Sequence, residues 1–570
     1  MFPGEDNSRS SYTQEGDDLD ITTLPPEPYL CLMEVKLMKR QRLRSGLWPL
    51  FKRPGAVVAA LFMTVTLSSE RPAAEKTVQF DIIIRDAEVL DGSGQPPYRA
   101  DIGIRAGVIA RIGKLSGLSA KRTIKASGMQ ATPGFIDMHS HVNFGFDEAE
   151  GRVALNNLLQ GITTDVIGQD GVSAWPENET IADASSRWSR QGLAANAILL
   201  VGHGSVRSAV MGNADRSPTA EELERMKEMV RQAMLGGARG LSTGLYYEPG
   251  KFAQTEEVIA LTREIKPYGG FYISHVRDET DRLNQSVDEL IRIGKETGVP
   301  VIHSHFKSAM KPNFGKAEAA LNRMEEARRA GIQVWADIYP WTISAGGVDV
   351  DLSELSKVDP KDQSDLEQNL RQAADTFFVV SAPDSRYVGR TIAEIQKVMN
   401  VSLLETLTRL DKMGARIFVI QMSESDIEAA MRREFMAIST DGSSSTYPPQ
   451  HPRNYATYPR LIREYVLRRG VMTLPQAIRA STGLPADMMG LNDRGYLQEG
   501  KAADILVFDP KQINYCSTYA NPKCYSTGIQ YMWVNGILTL DRGSYTGALA
   551  GRVLLRWQDR SKPSQQSRVD

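Results

Sequence analysis

The stretch that decides the fold is Pro133-Gly134-Phe135-Ile136-Asp137-Met138-His139-Ser140-His141. From Gly134 onward it reads as a short buried β-strand that ends in two histidines. Residues i and i+2 of a strand share one face, so both imidazoles can reach a single ion. Histidine is the commonest metal ligand and the side chain most easily tuned for proton transfer near neutral pH.

The chain holds seven histidines in 570 residues, and six of them end predicted strands: His139, His141, His203, His275, His303 and His305. Buried strand candidates recur at 134–141, 163–169, 197–203, 238–245, 270–276, 300–307, 333–339 and 435–441. Helices lie between them. Thr219 and Glu222 form a capping-box pattern ahead of an apolar stripe of Leu223, Met226, Val230, Ala233 and Met234, and 281–297 and 316–330 are further crossover helices. Alternating β and α elements predict an α/β protein built on a (β/α)8 TIM-like barrel spanning 134–485, whose active site lies at the C-terminal ends of the strands. The stretch of about 345–431 is too long for one connection and is expected to be an inserted lid subdomain. The seventh histidine, His451, follows the last strand end, Ser439-Thr440-Asp441-Gly442.

Short strands with turn residues flank the barrel at both ends. Phe80–Arg85, Ala87–Gly92, Ile102–Ile104 and Val108–Ile112 are matched near the C-terminus by Ala503–Asp509 and Tyr531–Gly536. They predict a small β-sandwich domain assembled from 79–133 and 486–556, with a tail at 557–570. Residues 1–78 read as a disordered leader and signal segment: an acidic start, then Lys39-Arg40-Gln41-Arg42, then the apolar run Ala56–Leu67, which is too short to span a bilayer. The expectation is export with no stable membrane span after processing, with a cytoplasmic protein carrying an unstructured leader as the alternative. Cys516 and Cys524, eight residues apart, are a disulfide or two free thiols. A formal net charge of -2, with 41% hydrophobic and 24% charged residues, describes an ordinary globular protein and argues against nucleic acid as a partner.

The first strand resembles that of the amidohydrolase superfamily, and later segments are similar to its D-aminoacylase (N-acyl-D-amino-acid deacylase) branch. These are Gly161–Thr164, Gly240–Gly250, Ile273–Arg277, Ser304–Lys307, Ser439–Gly442, His451-Pro452-Arg453 and Gly495–Pro510. The resemblance runs from about Phe80 to Arg552. It implies a metal-dependent hydrolase holding one or two divalent ions, zinc first, with His275 and His305 as principal ligands and His139 and His141 bounding an adjoining position. It also implies that Asp441 takes a proton from the attacking water and passes it to the leaving nitrogen. His203 and His303 stay open between ligand and structural residue.

In one respect the chain departs from that pattern. The family commonly has a cysteine ligand in an Asn-Cys-Gly context at the end of the second strand, where this chain has Gly168-Gln169-Asp170-Gly171. Asp170 can bridge two ions through its two oxygens, and its hardness leaves manganese or cobalt open beside zinc; as a turn residue it would leave fewer ligands. For the α-carboxylate of an acylated amino acid, Arg453, Lys307 and Arg277 are the candidate cations, Tyr247 a candidate donor and His451 a candidate orienting residue. The expected reaction is hydrolysis of N-acyl-D-amino acids, or of dipeptides and small peptides ending in a D-residue. The alternatives are cyclic-amide hydrolysis of the dihydropyrimidinase kind and a non-catalytic binding protein on the same fold.

Overall fold

A computed structural model describes residues 79–556 apart from 176, 178, 345–370, 372–373 and 448–449. The expected leader and signal segment, the tail at 557–570 and the first part of the expected insert lie outside the described residues.

Eight parallel strands form the central sheet in sequence order: β1 (Phe135–Asp137), β2 (Ile162–Ile167), β3 (Asn196–Gly202), β4 (Gly240–Gly244), β5 (Phe271–His275), β6 (Val301–His303), β7 (Val334–Ile338) and β8 (Met436–Ile438). Each matches an expected strand, with β2 and β3 starting one residue earlier and the others shorter. The seam between β1 and β8 is closed just above them, where Ser140–His141 pairs in parallel with Gly442–Ser443. The Asp441 amide also donates to the His139 carbonyl at 2.8 Å. Strands β2 to β5 are buried along their whole length, which is why they read as continuous apolar runs. Alternate residues serve two cores. Ile136, Val166, Ile198, Leu200, Ile273, Ile302 and Ala437 converge with Leu484 and Met488 inside the barrel, while Phe135, Ile167, Leu199, Leu241, Tyr272 and Val301 pack in the layer shared with the helices.

Gly134 is required by close approach. A Cβ there would lie 2.1 Å from the Thr163 hydroxyl of the neighbouring strand. The expected helices form at Ala220–Gly236, Leu283–Thr297 and Ala317–Arg329, the first capped reciprocally by Thr219 and Glu222.

The described part of the insertion carries its own core around an antiparallel pair, Phe377–Ser381 with Arg416–Val419, and two helices, Ile392–Met399 and Leu403–Lys412. Helix Glu424–Met431 packs instead on Ala317–Arg329, β7 and β8, so it is a barrel crossover and the insertion ends before it. Strands from both chain ends form one nine-stranded sheet, joined where Gln130–Pro133 pairs with Phe80–Val89 on one side and Ile505–Phe508 on the other. Phe80–Val89 is a single strand with a bulge between Ile84 and Ala87, where two were expected. Ile84, Val89, Ile104, Ile505 and Trp533 share its core. Cys516 and Cys524 form a disulfide with Cα atoms 5.5 Å apart.

A buried polar network ties barrel to sheet. The Asn196 amide at the start of β3 donates to the Thr163 carbonyl (3.0 Å) and to Asp504 (3.2 Å), the Asn535 side chain donates to Asn196 (2.7 Å), and Arg494 pairs with Asp504. Asp504→Ala strips the acceptor shared by these groups, and denaturant unfolding should show a loss of about 3 kcal/mol or more.

Candidate metal centre

Six side chains from five strand ends meet at the C-terminal mouth of the barrel. His139, His141, Asp170 and Asp441 place ligand atoms within 4.8 Å of one another, and so do Asp170, His275 and His305. Asp170 belongs to both groups. Its Oδ2 lies 3.5 Å from His139 Nε2 and 3.4 Å from His141 Nε2, while its Oδ1 lies 3.5 Å from His305 Nε2 and 3.9 Å from His275 Nδ1. Asp441 Oδ1 completes the first group, 3.6 Å from His139 and 3.3 Å from His141.

The local backbone explains how these residues converge. Asp170 (φ 55), His305 (φ 34) and Asp441 (φ 47) all adopt left-handed conformations just past their strand ends, and such strain is concentrated at functional sites. The turn at His305 is held by Asp337 of β7, whose carboxylate accepts from the His305 amide (3.1 Å) and whose carbonyl accepts from the Phe306 amide (2.7 Å). The Asp170 loop is held by Ser242 of β4, which donates to the Gly168 carbonyl and accepts from the Gly171 amide.

The donor set fits a divalent ion. Ligand atoms placed tetrahedrally about 2.0–2.1 Å from one ion lie about 3.4 Å apart, close to the separations found here. Asp170 Oδ1 and His275 Nδ1 are buried, face each other and have no hydrogen-bond partner in the protein. Burial alone would raise the Asp170 carboxyl, but the histidines around it, His139 first and then His141 and His305, hold it well below the usual carboxylate range. Burial opposes charge on His141, yet Asp170 and Asp441 outweigh it and push its pKa up to about 9. His275 behaves oppositely: burial dominates and lowers it to about 3, so it stays neutral.

A second layer surrounds the cluster. Glu279, absent from the expected site, lies behind both histidines of the second group, 3.1 Å from His305 Nδ1 and 3.6 Å from His275 Nε2. A carboxylate on the far nitrogen of a ligating histidine fixes its tautomer and ring orientation. The only sequence signal was its position four residues after His275. Lys307, a candidate cation for substrate, is bonded to both Glu279 oxygens (2.9 and 3.1 Å) and lies 2.7 Å from His305 Nδ1. Arg277 is likewise engaged. It sits beyond the end of β5, where strand alternation no longer sets direction, and is taken up by Glu289 and by the Lys251 and Ala253 carbonyls.

The remaining candidates sort clearly. Arg453 pairs with Asp441 Oδ2 at 2.7 Å and lies over the Tyr339 ring at 4.8 Å. Tyr339 was also missed; it is fully buried one residue past β7, and its hydroxyl has no partner. Tyr247 is half-exposed, with its ring edge-on to His275. His451 is buried among Trp341, Phe418 and Tyr519, its Nδ1 accepting the Arg453 amide. His303 bonds the Ser304 carbonyl and packs on Phe306 outside both groups. His203 begins the helix His203–Met211, where a strand end was expected, and pairs with Glu257 at 2.8 Å.

A closed parallel barrel with imidazoles and shared carboxylates at its C-terminal mouth defines the metal-dependent barrel hydrolases as the class. The chain belongs to the amidohydrolase family, whose family model matches residues 131–539. It is 34% identical to a D-aminoacylase of Alcaligenes xylosoxydans xylosoxydans over 84% of this chain and 98% of that protein. The structure of N-acyl-D-glutamate deacylase from Bordetella bronchiseptica, complexed with zinc and a phosphonate mimic of the tetrahedral intermediate, is 31% identical with a TM-score of 0.71, covering 84% of this chain and 99% of that one. A D-aminoacylase structure from work on the role of its binuclear metal centre is 30% identical with a TM-score of 0.71, covering 83% and 99%.

Two measurements test the centre. Metal analysis after gel filtration should find His139→Ala depleted at one position and Asp170→Ala at both. Competition with a chelator should show Glu279→Gln retaining metal about 10- to 100-fold less tightly, and unchanged affinity would remove Glu279 from the centre.

Proposed function

We propose that the chain hydrolyses the amide bond of N-acyl-D-amino acids, releasing a carboxylate and a free D-amino acid, at a zinc centre built on His139, His141, Asp170, His275 and His305. The observation that carries this reading is the placement of Asp441 and Arg453 together beside the cluster. One holds a general base, the other a carboxylate-binding cation.

A divalent ion at such a site lowers the pKa of water towards about 7 and polarises a carbonyl oxygen. The rest falls to this chain's own groups. Burial alone would raise the Asp441 carboxyl, but Arg453, His141 and His139 hold it well below the usual range, so it is ionised at neutral pH. Its left-handed turn aims Oδ1 at the His139–His141 pair, the place from which an attacking water is deprotonated; the same carboxyl then returns the proton to the leaving nitrogen. Arg453 offers a planar guanidinium whose Nε is buried without a hydrogen-bond partner, suited to the substrate α-carboxylate. The unpartnered Tyr339 hydroxyl and the half-exposed Tyr247 add donors for the carboxylate or the developing oxyanion.

Dipeptides and small peptides ending in a D-residue present the same amide and carboxylate and fall within this reading. Cyclic-amide hydrolysis has no use for the Arg453 clamp, and a non-catalytic binder has no use for Asp441. Export through the N-terminal segment is part of the proposal, supported by the Cys516–Cys524 disulfide, since such bonds persist in oxidising compartments.

Asp441→Asn should keep its fold and metal content while turnover falls at least about 100-fold, read by circular dichroism, metal analysis and release of free amine. In a stereochemical panel, N-acyl-D-amino acids should be cleaved in preference to their L-enantiomers and to hydantoins, with activity lost to a chelator and restored by zinc. Equal rates on hydantoins would transfer the site to the cyclic-amide reaction.

A further inference from the structure

The mouth of the barrel has two unlike sides. Arg453, Tyr339 and Lys307 follow β8, β7 and β6 and form a polar wall. Across the cluster, the loops after β1, β2 and β4 carry large apolar side chains exposed to solvent. Phe144, in the 3-10 turn Val142–Gly145, is 40% exposed and lies parallel to the His141 ring, with centroids 5.7 Å apart and planes 5° apart. Val172, two residues past Asp170, is 47% exposed, and Tyr246 is 61% exposed with its ring 5.6 Å from His275.

Val172 and Tyr246 adjoin through their loops. A Cβ on Gly244 would lie 2.3 Å from the Asp170 carbonyl oxygen, and one on Gly171 would lie 2.8 Å from the Gly244 amide nitrogen, so the Val172 and Tyr246 loops are pressed together. Tyr447, in the loop after β8, packs on Phe144 with centroids 4.9 Å apart, so the apolar edge reaches the seam with the polar wall. A single exposed apolar residue is ordinary, but several ringing one cluster of polar ligands mark a surface that meets an apolar ligand.

We propose that this rim binds the acyl group of the substrate and that the enzyme prefers apolar, fatty-acid-type acyl chains longer than acetyl. The inference rests on the deacylase reading above. A scissile amide has two arms, the amino acid on its nitrogen and the acyl chain on its carbonyl carbon. With the α-carboxylate at Arg453 and the amide over the metal cluster, the acyl arm leaves on the opposite side, towards Phe144, Val172 and Tyr246. An acetyl group ends before it can cover that surface; a longer chain removes both itself and the rim from water.

The test is a series of N-acetyl-, N-butanoyl- and N-octanoyl-D-leucine with the zinc-loaded full chain. From acetyl to octanoyl, kcat/KM should rise about 10-fold or more, mainly through KM, because each added methylene buries apolar surface. A flat or falling series alongside clear hydrolysis of N-acetyl-D-leucine overturns the acyl rim and leaves the deacylase reading standing. No hydrolysis at any chain length overturns both. Val172→Ser and Tyr246→Ser, both at exposed positions, should bring the octanoyl-to-acetyl ratio close to one whatever the N-acetyl rate of each variant. A ratio kept in both variants places the chain-length preference elsewhere and overturns the rim.

Discussion

Two oxygens of one buried carboxylate organise the mouth of this barrel. Asp170 faces His139 and His141 with Oδ2 and His275 and His305 with Oδ1, so the two donor groups share this one carboxylate. Four imidazoles brought together out of water would gain little from one another. Two carboxylates among them supply the opposing charge, and Asp170 offers hard oxygen donors to a divalent ion. The departure from a cysteine at this place is therefore consistent with two metal positions: a carboxylate can bridge with separate atoms where a thiolate bridges with one.

The barrel provides the geometry, and short distortions at the strand ends refine it. A strand alone sends alternate side chains inward and outward. Asp170, His305 and Asp441 are turned towards the centre by left-handed backbone beyond β2, β6 and β8, each held by a bond from an adjacent element: Ser242, Asp337 and the His139 carbonyl. Closure of the barrel at Ser140–His141 and Gly442–Ser443 is thus also the step that sets Asp441 beside the histidine pair. Fold and site are made by the same hydrogen bonds.

Charge at the site is arranged in layers. Glu279 sits behind His275 and His305 and takes the Lys307 ammonium, so a cation that looked available for substrate neutralises the second layer. Arg453 remains as the cation in direct contact with Asp441, against the Tyr339 ring. The polar side of the mouth is thereby concentrated near β7 and β8, and the apolar rim lies on the other side of the metal cluster.

Much of this was legible in the chain itself. The eight buried runs, their spacing and the His139–His141 pair determine a barrel with ligands at one rim, because strand periodicity and apolar burial are local properties. His275, His305, Asp170 and Asp441 were readable for the same reason: each stands at or just past a strand end. What the sequence did not determine is where side chains go once the strand stops. Nothing in the sequence shows that Arg277 and Lys307 are bound to Glu289 and Glu279, that His203 begins a helix, or that Glu279 and Tyr339 stand at the site. Ion-pair partners separated by a loop, or by a neighbouring strand, are chosen by tertiary packing, since a buried charge takes whichever opposite charge the fold brings within reach.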